Sequence, residues 1–427
     1  MLCNLSKLFD SLIYDRVHSF FNKFNLLSEN QFGFRKNKNT ELAILELVNK
    51  MMPAIENKSY CISVFLDYRA CFDTICREIL INKLERYGVR GVGLQFLKAY
   101  FENRMQYVCY KSHMSKTVTQ KLGVIQGSKT GPMYFDIYCN EFHRVLGDDQ
   151  YILYADDTSM VYVGNNLQEL TDHVNYKLSV VSEWCKFNKL ALNPEKSEFI
   201  FLTNKHYNSP PVLKINGNLI KRVTNAKYLG VIIDEKLKFQ PQIEQVEVKL
   251  SRFCGISYRL KNHFNWDTAL KFYYACVYST ISYCLVTWGG VAMCTRRCDR
   301  ITRLHNRIVS NLFSKYFNVN NDVFKSCKIL KFPDIYKLRV SIYMFKILKM
   351  NSIPSLERSL SISYPSHSYE TRSRNRLDTP FPRVESIRMN YKYQFCDVWN
   401  EVPEDIKTAS SLRSFKKLLI NFYLSSY

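Results

Sequence analysis

Two adjacent aspartates, Asp156 and Asp157, stand between the apolar runs 151–155 and 158–163, where the pattern predicts the turn of a β-hairpin. A third carboxylate, Asp67, ends the apolar run 63–66, which predicts a buried strand. Neighbouring carboxylates repel each other, so a chain that sets them at strand ends is expected to place a cation there. The pattern therefore predicts a two-metal site for phosphoryl or nucleotidyl transfer.

The composition indicates a folded chain with a polyanionic partner. Of the 427 residues, 46% are hydrophobic, which excludes intrinsic disorder and allows two or three domains. The formal net charge is +22. Nucleic acid is the favoured partner, and an acidic membrane surface is the alternative.

The cysteines and the first residues bear on location. The 14 cysteines are scattered singly through apolar runs, which favours a reducing compartment over a disulfide scaffold. Residues 1–12 lack the pattern of a secretory signal. Residues 272–293 carry no charge, but their Tyr, Ser, Thr and Gly content favours a buried helix over a membrane span. We expect an intracellular protein that does not enter a membrane.

Periodicity predicts strands and helices in the first half and helices in the second. Predicted helices cover residues 5–24, 42–52, 78–86, 167–187 and 411–423, with another after Pro132. Predicted strands cover residues 61–66, 151–155, 158–163, 196–203 and 228–234, with a hairpin over 106–110 and 118–122. Between Lys236 and Arg339 there are 18 lysines and arginines against 6 acids, so the second half carries much of the positive charge.

Six blocks occur in a recognisable order: Gln31-Phe32-Gly33-Phe34-Arg35, Phe65-Leu66-Asp67 with Ala70-Cys71-Phe72-Asp73, Gln126-Gly127-Ser128 with Gly131-Pro132, Tyr154-Ala155-Asp156-Asp157-Thr158, residues 190–197 and residues 228–234. This order resembles the reverse transcriptases of non-LTR retrotransposons, the LINE-like group that includes jockey-type and CR1-type elements. A Tyr-Ala-Asp-Asp sequence alone is a weak signal, whereas six blocks in this order are specific.

The resemblance implies an α+β right-hand polymerase fold. Residues 1–237 would form fingers and palm, with an antiparallel, ferredoxin-like palm sheet packed on helices. Residues 238–350 would form a basic helical thumb, and residues 351–427 a linker and C-terminal helical segment. Met1 falls inside what resembles the helix before the fingers motif. The resemblance thus implies a chain truncated at its N-terminus, whose full-length element protein carries an upstream endonuclease.

The resemblance also assigns roles at the metal site. Asp67 and Asp156 would bind two Mg²⁺ ions, with Mn²⁺ as a possible substitute, helped by the backbone carbonyl of Tyr68. Asp157 would support the site electrostatically or as a partial ligand. Lys196 would protonate the leaving pyrophosphate.

Further positions would contact the nucleotide. Arg35, with Lys36 or Lys38 as alternates, would clamp the triphosphate. Phe72 would lie under the sugar and exclude a 2′-hydroxyl, while Gln126 and Gly127 would lie against the incoming nucleotide and the template. The implied partners are an RNA template, a DNA primer or target and dNTPs, with synthesis in the cytoplasm and action in the nucleus.

Two alternatives stay open at this point. The chain could be a non-catalytic RNA-binding remnant of such an element, as its basic second half and incomplete fingers allow. A group II intron maturase also uses Tyr-Ala-Asp-Asp, but Gln126-Gly127-Ser128 and the segment 399–406 argue against it.

Overall fold

The computed structural model describes residues 3–125, 127–147, 151–293, 296–317, 322–350, 352–353, 356–357, 360, 376–378 and 391–427. The chain forms two compact units: unit 1 comprises Met1–Ala43 and Ser59–Val223, and unit 2 comprises Ile44–Lys58 and Thr224–Tyr427. The three-part division predicted from the sequence, at residues 237 and 350, stays a prediction, and most of the predicted linker 352–383 lies outside the described residues.

The described strands, in chain order, are β1 Tyr60–Leu66, β2 Met105–Gln106, β3 Cys109–Tyr110, β4 His113–Met114, β5 Val118–Thr119, β6 Tyr151–Tyr154, β7 Asp157–Gly164, β8 Glu198–Leu202, β9 Lys214–Ile215, β10 Asn218–Leu219, β11 Lys221–Arg222, β12 Asn225–Tyr228 and β13 Val231–Asp234. The described α-helices are α1 Asn4–Lys23, α2 Thr40–Glu56, α3 Cys71–Thr74, α4 Arg77–Arg86, α5 Gly91–Phe101, α6 Thr130–Cys139, α7 His143–Leu146, α8 Leu167–Phe187, α9 Gln240–Leu260, α10 Trp266–Phe272, α11 Ser279–Ser282, α12 Leu285–Met293, α13 Arg296–Phe313, α14 Val323–Cys327, α15 Phe332–Met350, α16 Tyr391–Asn400, α17 Glu404–Lys407 and α18 Leu412–Ser425.

Unit 1 is built on a sheet with the strand order β11-β8-β1-β7-β6. Its pairings are antiparallel except for the short parallel pair β8 and β11. β1 lies at the centre because its residues after Tyr60 are all buried, as expected for an uninterrupted apolar strand. The expected α+β fold with an antiparallel-dominated sheet packed on helices is confirmed.

Helix α8 covers part of this sheet through one apolar stripe. Asn166 caps the helix, because its side chain accepts hydrogen bonds from the backbone N–H groups of Gln168 and Glu169. The buried residues recur every three to four positions: Leu170, Val174, Leu178, Val181 and Cys185. The helix has the bounds predicted from the sequence, because its cap and its period are both visible there.

A two-stranded ribbon projects from unit 1 between α5 and α6. Strand β2 pairs with β5, and β3 pairs with β4 nearer the tip, while all the residues of these four strands are exposed. Arg77 holds the base of the ribbon, because its buried guanidinium donates hydrogen bonds to the carbonyls of Phe101, Gln120, Leu122 and Gly123 at 2.6–3.1 Å. Both ends of the ribbon are thus tied to one side chain.

Unit 2 is mainly helical after the hairpin of β12 and β13. The prediction of a single strand over residues 228–234 is wrong. Leu229 and Gly230 have φ values of +46° and +81°, so the chain reverses between Tyr228 and Val231. Asp234 then accepts hydrogen bonds from the backbone N–H groups of Lys236, Lys238 and Phe239, which sets the entry to α9.

The uncharged stretch around residues 272–293 is a broken helix inside unit 2. The break falls at Tyr283 and Cys284, where Cys284 has φ of +49°. Trp288 is fully buried after the break, and its indole N–H donates to the carbonyl of Tyr283 at 3.0 Å. Within the described residues, no single helix has the length and apolarity to cross a bilayer. Trp266–Ser282 and Leu285–Met293 meet that requirement only as a pair, bent by 77°.

Candidate active site

Asp67 is held at the end of β1 by the loop that precedes β8. The backbone N–H of Asn193 donates to the carbonyl of Asp67 at 2.8 Å, and the Asn193 side-chain amide donates to the Asp67 carboxylate at 3.1 Å. From the same loop, the Ser197 hydroxyl lies 3.1 Å from the backbone nitrogen of Asp67 and accepts its hydrogen. Since Asn193 and Ser197 are buried, the position of Asp67 is set by the protein interior.

The backbone of Tyr68 is directed away from that loop. Tyr68 and Leu192 face each other in an antiparallel bridge, whose hydrogen bonds come from the neighbouring positions: Arg69 N–H to Ala191 O and Asn193 N–H to Asp67 O, both at 2.8 Å. In such a pair the peptide groups of the central residue point to the opposite edge. The Tyr68 carbonyl therefore faces the β7 side of β1, which is the side where Asp156 and Asp157 lie.

Asp156 lies on the two-residue turn between β6 and β7. Tyr154 pairs with Asp157, so Ala155 and Asp156 form the turn, and Ala155 takes the left-handed conformation with φ of +55°. The Cys71 thiol donates to the Asp156 carboxylate at 3.6 Å. Burial, followed by the negative charge of Asp156, raises the pKa of Cys71 to about 12, which keeps the thiol protonated and able to donate.

Gln31 and Gly33 pack directly against this turn. The Gln31 side-chain oxygen accepts the backbone N–H of Ala155 at 3.1 Å and that of Gly33 at 2.8 Å. The backbone on either side of Gln31 also joins the edge strand, because Phe32 N–H donates to Leu153 O and Leu153 N–H donates to Asn30 O. A Cβ atom on Gly33 would lie 2.4 Å from the Ala155 nitrogen, so only glycine allows this approach.

The charges of Asp67 and Asp156 act on Asp157. Leu66 pairs with Thr158, and continuing this register by one residue sets Asp67 opposite Asp157. Desolvation by surrounding protein atoms, and then the charges of Asp156 and Asp67, raise the pKa of Asp157 to about 6, although the residue is exposed to solvent. Clustered carboxylate oxygens are the donors that hard divalent cations take, so the residues present fit Mg²⁺ or Mn²⁺.

The carboxylates alone do not enclose an ion. Within the described part of the chain, no three acidic, histidine or cysteine side chains converge closely enough to surround a metal. A catalytic ion needs open positions, so the pair Asp67 and Asp156 with the Tyr68 carbonyl would be completed by oxygens from outside the protein.

Apart from the cations, the predicted nucleotide contacts that the structure describes are Phe72 and Gly127. Phe72 is half-buried and stacks on Phe135, with ring centroids 4.6 Å apart, while its carbonyl accepts the Val124 N–H. Gly127 is exposed with φ of +78°, a conformation that favours glycine. Gln126 lies outside the described residues.

The predicted cations occupy two different surroundings. Arg35 is half-buried and donates to the carbonyl of Ser28 at 3.1 Å. Burial lowers the pKa of Arg35, while the charges of Glu29 and Asp136 oppose that shift. Lys196 is exposed on the turn beside Ser197, the residue that contacts Asp67. Their assigned roles stay predictions.

The sequence did not assign roles to Gln31, Gly33, Asn193, Ser197 or Cys71. All five lie inside blocks that the sequence had marked, which was the available signal. Their contacts join positions far apart in the chain: Gln31 and Ala155 are 124 residues apart, and Asn193 and Asp67 are 126 apart. Periodicity carries no information on such pairings.

Comparisons with known proteins bear on the family of this chain. Residues 1–233 match the family model for reverse transcriptase (RNA-dependent DNA polymerase). A probable RNA-directed DNA polymerase from transposon BS of Drosophila melanogaster is 28% identical over 72% of this chain and 35% of its own length. The RNA-directed DNA polymerase from the mobile element jockey of the same fly is 28% identical over 58% of this chain and 28% of its own length.

A retrovirus-related Pol polyprotein from the type-1 retrotransposable element R1 of Bradysia coprophila is 27% identical over 60% of this chain and 25% of its own length. Telomerase from Candida albicans, in complex with a fragment of telomeric RNA, overlaps 75% of this chain and 55% of its own at a TM-score of 0.37 and 12% identity.

The chain thus spans about a third of the length of the first of these curated relatives. The resemblance to non-LTR retrotransposon polymerases is confirmed by the transposon BS, jockey and R1 proteins. Since the family model covers more than half of the residues, the chain belongs to the reverse transcriptase family.

Proposed function

We propose that the chain is an RNA-directed DNA polymerase that joins a dNTP to the 3′-hydroxyl of a DNA primer on an RNA template. One observation carries the proposal. Asp67 and Asp156 lie at neighbouring strand ends of one sheet, and each carboxylate accepts a hydrogen bond from a separate neutral donor, Asn193 for Asp67 and Cys71 for Asp156. Neutral donors hold the carboxylates in place and leave their charge for cations.

Asp67 and Asp156 would hold two Mg²⁺ ions, or Mn²⁺, with the Tyr68 carbonyl as a further ligand. Such ions, when bound, neutralise the phosphate oxygens and favour the attacking form of the primer hydroxyl. Asp157, once ionised, would add negative charge to the site from the opposite strand. These ligand roles rest on carboxylate chemistry and on the strand register.

The remaining contacts would orient the nucleotide. Arg35 lies two residues beyond Gly33, which packs on the Ala155 turn, and its guanidinium would clamp the triphosphate. Phe72, backed by Phe135, would exclude a 2′-hydroxyl, and Gly127 would admit close approach of the nucleotide or template. Lys196, beside the loop that holds Asp67, would donate a proton to the leaving pyrophosphate.

Unit 2 would bind the template and primer through their phosphates. Helices α9 and α13 pack on each other, and their outward faces carry exposed cations: Lys249, Arg252 and Arg259 on α9, and Arg303 and Arg307 on α13. Contacts of this kind are independent of base sequence and weaken with salt. We also propose that such a polymerase acts in the nucleus after synthesis in the cytoplasm.

The test is incorporation of labelled dTTP on poly(rA) primed with oligo(dT) in the presence of Mg²⁺. We expect incorporation by the parent chain and none by Asp156→Asn. A folded parent that binds the primed template and incorporates nothing would contradict the proposal. Asp172→Asn, an exposed acid on α8, is the matched control and should leave incorporation unchanged.

A second candidate function is RNA binding without catalysis, which the positive charge of unit 2 favours. It predicts salt-sensitive binding of RNA that survives both Asp67→Asn and Asp156→Asn, together with no incorporation by the parent. The same preparations therefore separate the two candidates.

A further inference from the structure

The turn that carries Asp156 lies at the edge of the sheet and is strained. β6 is the last strand in the order β11-β8-β1-β7-β6, so among the described strands it has a full neighbour on one side only. Ala155 has φ of +55°, which a residue with a Cβ atom adopts at a cost in free energy. A strained turn at an edge needs outside contacts to keep one conformation.

Gln31 supplies such contacts from another part of the chain. Its side chain is 3% exposed, and its oxygen accepts from Ala155 N–H and Gly33 N–H together. Both partners are donors, so the amide orientation is dictated, and Gln31 Nε2 is left buried without a hydrogen-bond partner in the described part of the structure. A buried amide group without a hydrogen-bond partner is unfavourable. The protein carries that cost here alongside the two hydrogen bonds that the Gln31 oxygen accepts.

We propose that Gln31 is a positioning residue for Asp156: its side-chain oxygen holds the Ala155 N–H and thereby sets where the Asp156 carboxylate stands for divalent-cation binding. The inference rests on the proposed function for the identity of the cation site. It adds that the fingers segment around Gln31 controls the metal affinity of a carboxylate 125 residues further along the chain.

The chemistry predicts which substitutions are tolerated. Two N–H groups need one acceptor oxygen, and the NH₂ group has no hydrogen-bond partner among the described residues, so Gln31→Glu keeps the acceptor that the turn requires. Gln31→Met matches the length and volume of glutamine but has no oxygen, which leaves both N–H groups without their acceptor. Gln31→Asn keeps an amide but is shorter by one methylene, so its oxygen falls short of Ala155.

The experiment measures Mn²⁺ binding by the loss of the free-ion electron paramagnetic resonance signal, on the full chain without substrate. We expect affinity to fall on the order of tenfold in Gln31→Met, as for other groups that orient a ligand, and not to fall below that of the parent in Gln31→Glu, whose carboxylate keeps the acceptor oxygen and adds negative charge. Gln106→Met, in the exposed ribbon, is the matched control and should bind as the parent does.

Thermal unfolding of each variant separates positioning from folding. Parent-like Mn²⁺ affinity in folded Gln31→Met overturns the proposal, as does a parent chain that binds no Mn²⁺. If Gln31→Met fails to fold, Gln31→Asn is measured in its place, with the same two outcomes. A parent that binds Mn²⁺ but incorporates no nucleotide contradicts the polymerase function, while weakened binding in Gln31→Met still supports the role of Gln31.

Discussion

The two units of the chain place their charged groups in different ways. Unit 1 sets three carboxylates at the ends of paired strands and holds the backbone around them with buried side chains such as Asn193 and Gln31. Unit 2 spreads cations over the outward faces of helices α9 and α13, where most are exposed. We therefore expect unit 1 to be sensitive to small shifts of its backbone, and unit 2 to be sensitive to loss of charge more than to changes of position.

The largest expected effect comes from the two proposed metal ligands of unit 1. Asp67→Asn and Asp156→Asn should each lower incorporation by more than roughly 100-fold, because loss of a ligand exceeds the effect of losing a group that only orients one. Affinity for primed RNA should stay within about twofold, since the proposed phosphate contacts belong to unit 2. Steady-state incorporation measures the first effect, and filter binding measures RNA affinity. A loss of RNA affinity comparable to the loss of incorporation would contradict the difference between the two units.

The next largest effect concerns how much room each unit leaves for a Cβ atom at one of its glycines. Gly33→Ala brings a Cβ atom to 2.4 Å from the Ala155 nitrogen and should destabilise the protein by about 1–3 kcal/mol. Gly255→Ala on α9 meets no atom within 4 Å and should stabilise by roughly 0.5–1 kcal/mol, because alanine favours the helix. Chemical denaturation of both variants measures the two changes in the free energy of unfolding. Changes of the same sign would contradict the prediction.

The charge of unit 2 should govern how binding depends on salt. Replacing Arg303 and Arg307 by Gln removes two exposed cations from one face of α13. Each lost phosphate contact with single-stranded RNA lowers the slope of log affinity against log salt by about 0.7, so we expect a decrease of about 1.4. Incorporation at saturating template should be unchanged. Lys186→Gln, an exposed cation on α8 of unit 1, serves as control and should leave the slope as it is.

The smallest effect is a pH dependence inside unit 2. Burial lowers the pKa of His305 to about 3, and its ring lies 3.0 Å from the Tyr273 hydroxyl. The unfolded chain binds a proton at His305 near pH 6.5, whereas the folded chain binds it only near pH 3. The stability that depends on a neutral His305 is therefore complete above pH 6.5 and is lost as pH falls toward 3. At pH 5.5 the loss is on the order of 1 kcal/mol.

Thermal unfolding between pH 5.5 and pH 8 measures this dependence. His305→Leu should reduce it, whereas the exposed His263→Gln should not. An unchanged pH profile in His305→Leu would show that other groups titrate in this range.

Local features of the sequence predicted much of the site. The apolar run before Asp67 and the hairpin around Asp156 follow from alternation and length, and α8 follows from its cap and period. The single strand predicted over residues 228–234 fails because a positive φ at Leu229 has no signal in a leucine. The contacts of Gln31 and Asn193 depend on which distant strands pair, and no local pattern contains that pairing.

Arg77 has a consequence for how the chain tolerates changes of length. Its guanidinium joins Phe101 to Gln120, Leu122 and Gly123, so the distance across the base of the ribbon is independent of what the ribbon contains. Gly123 N–H in turn donates to the carbonyl of Ile75, in the segment that follows Asp67. We therefore expect insertions or deletions between residues 104 and 119 to leave the carboxylates undisturbed. Arg77 thus separates a segment whose length can vary from a segment whose length cannot.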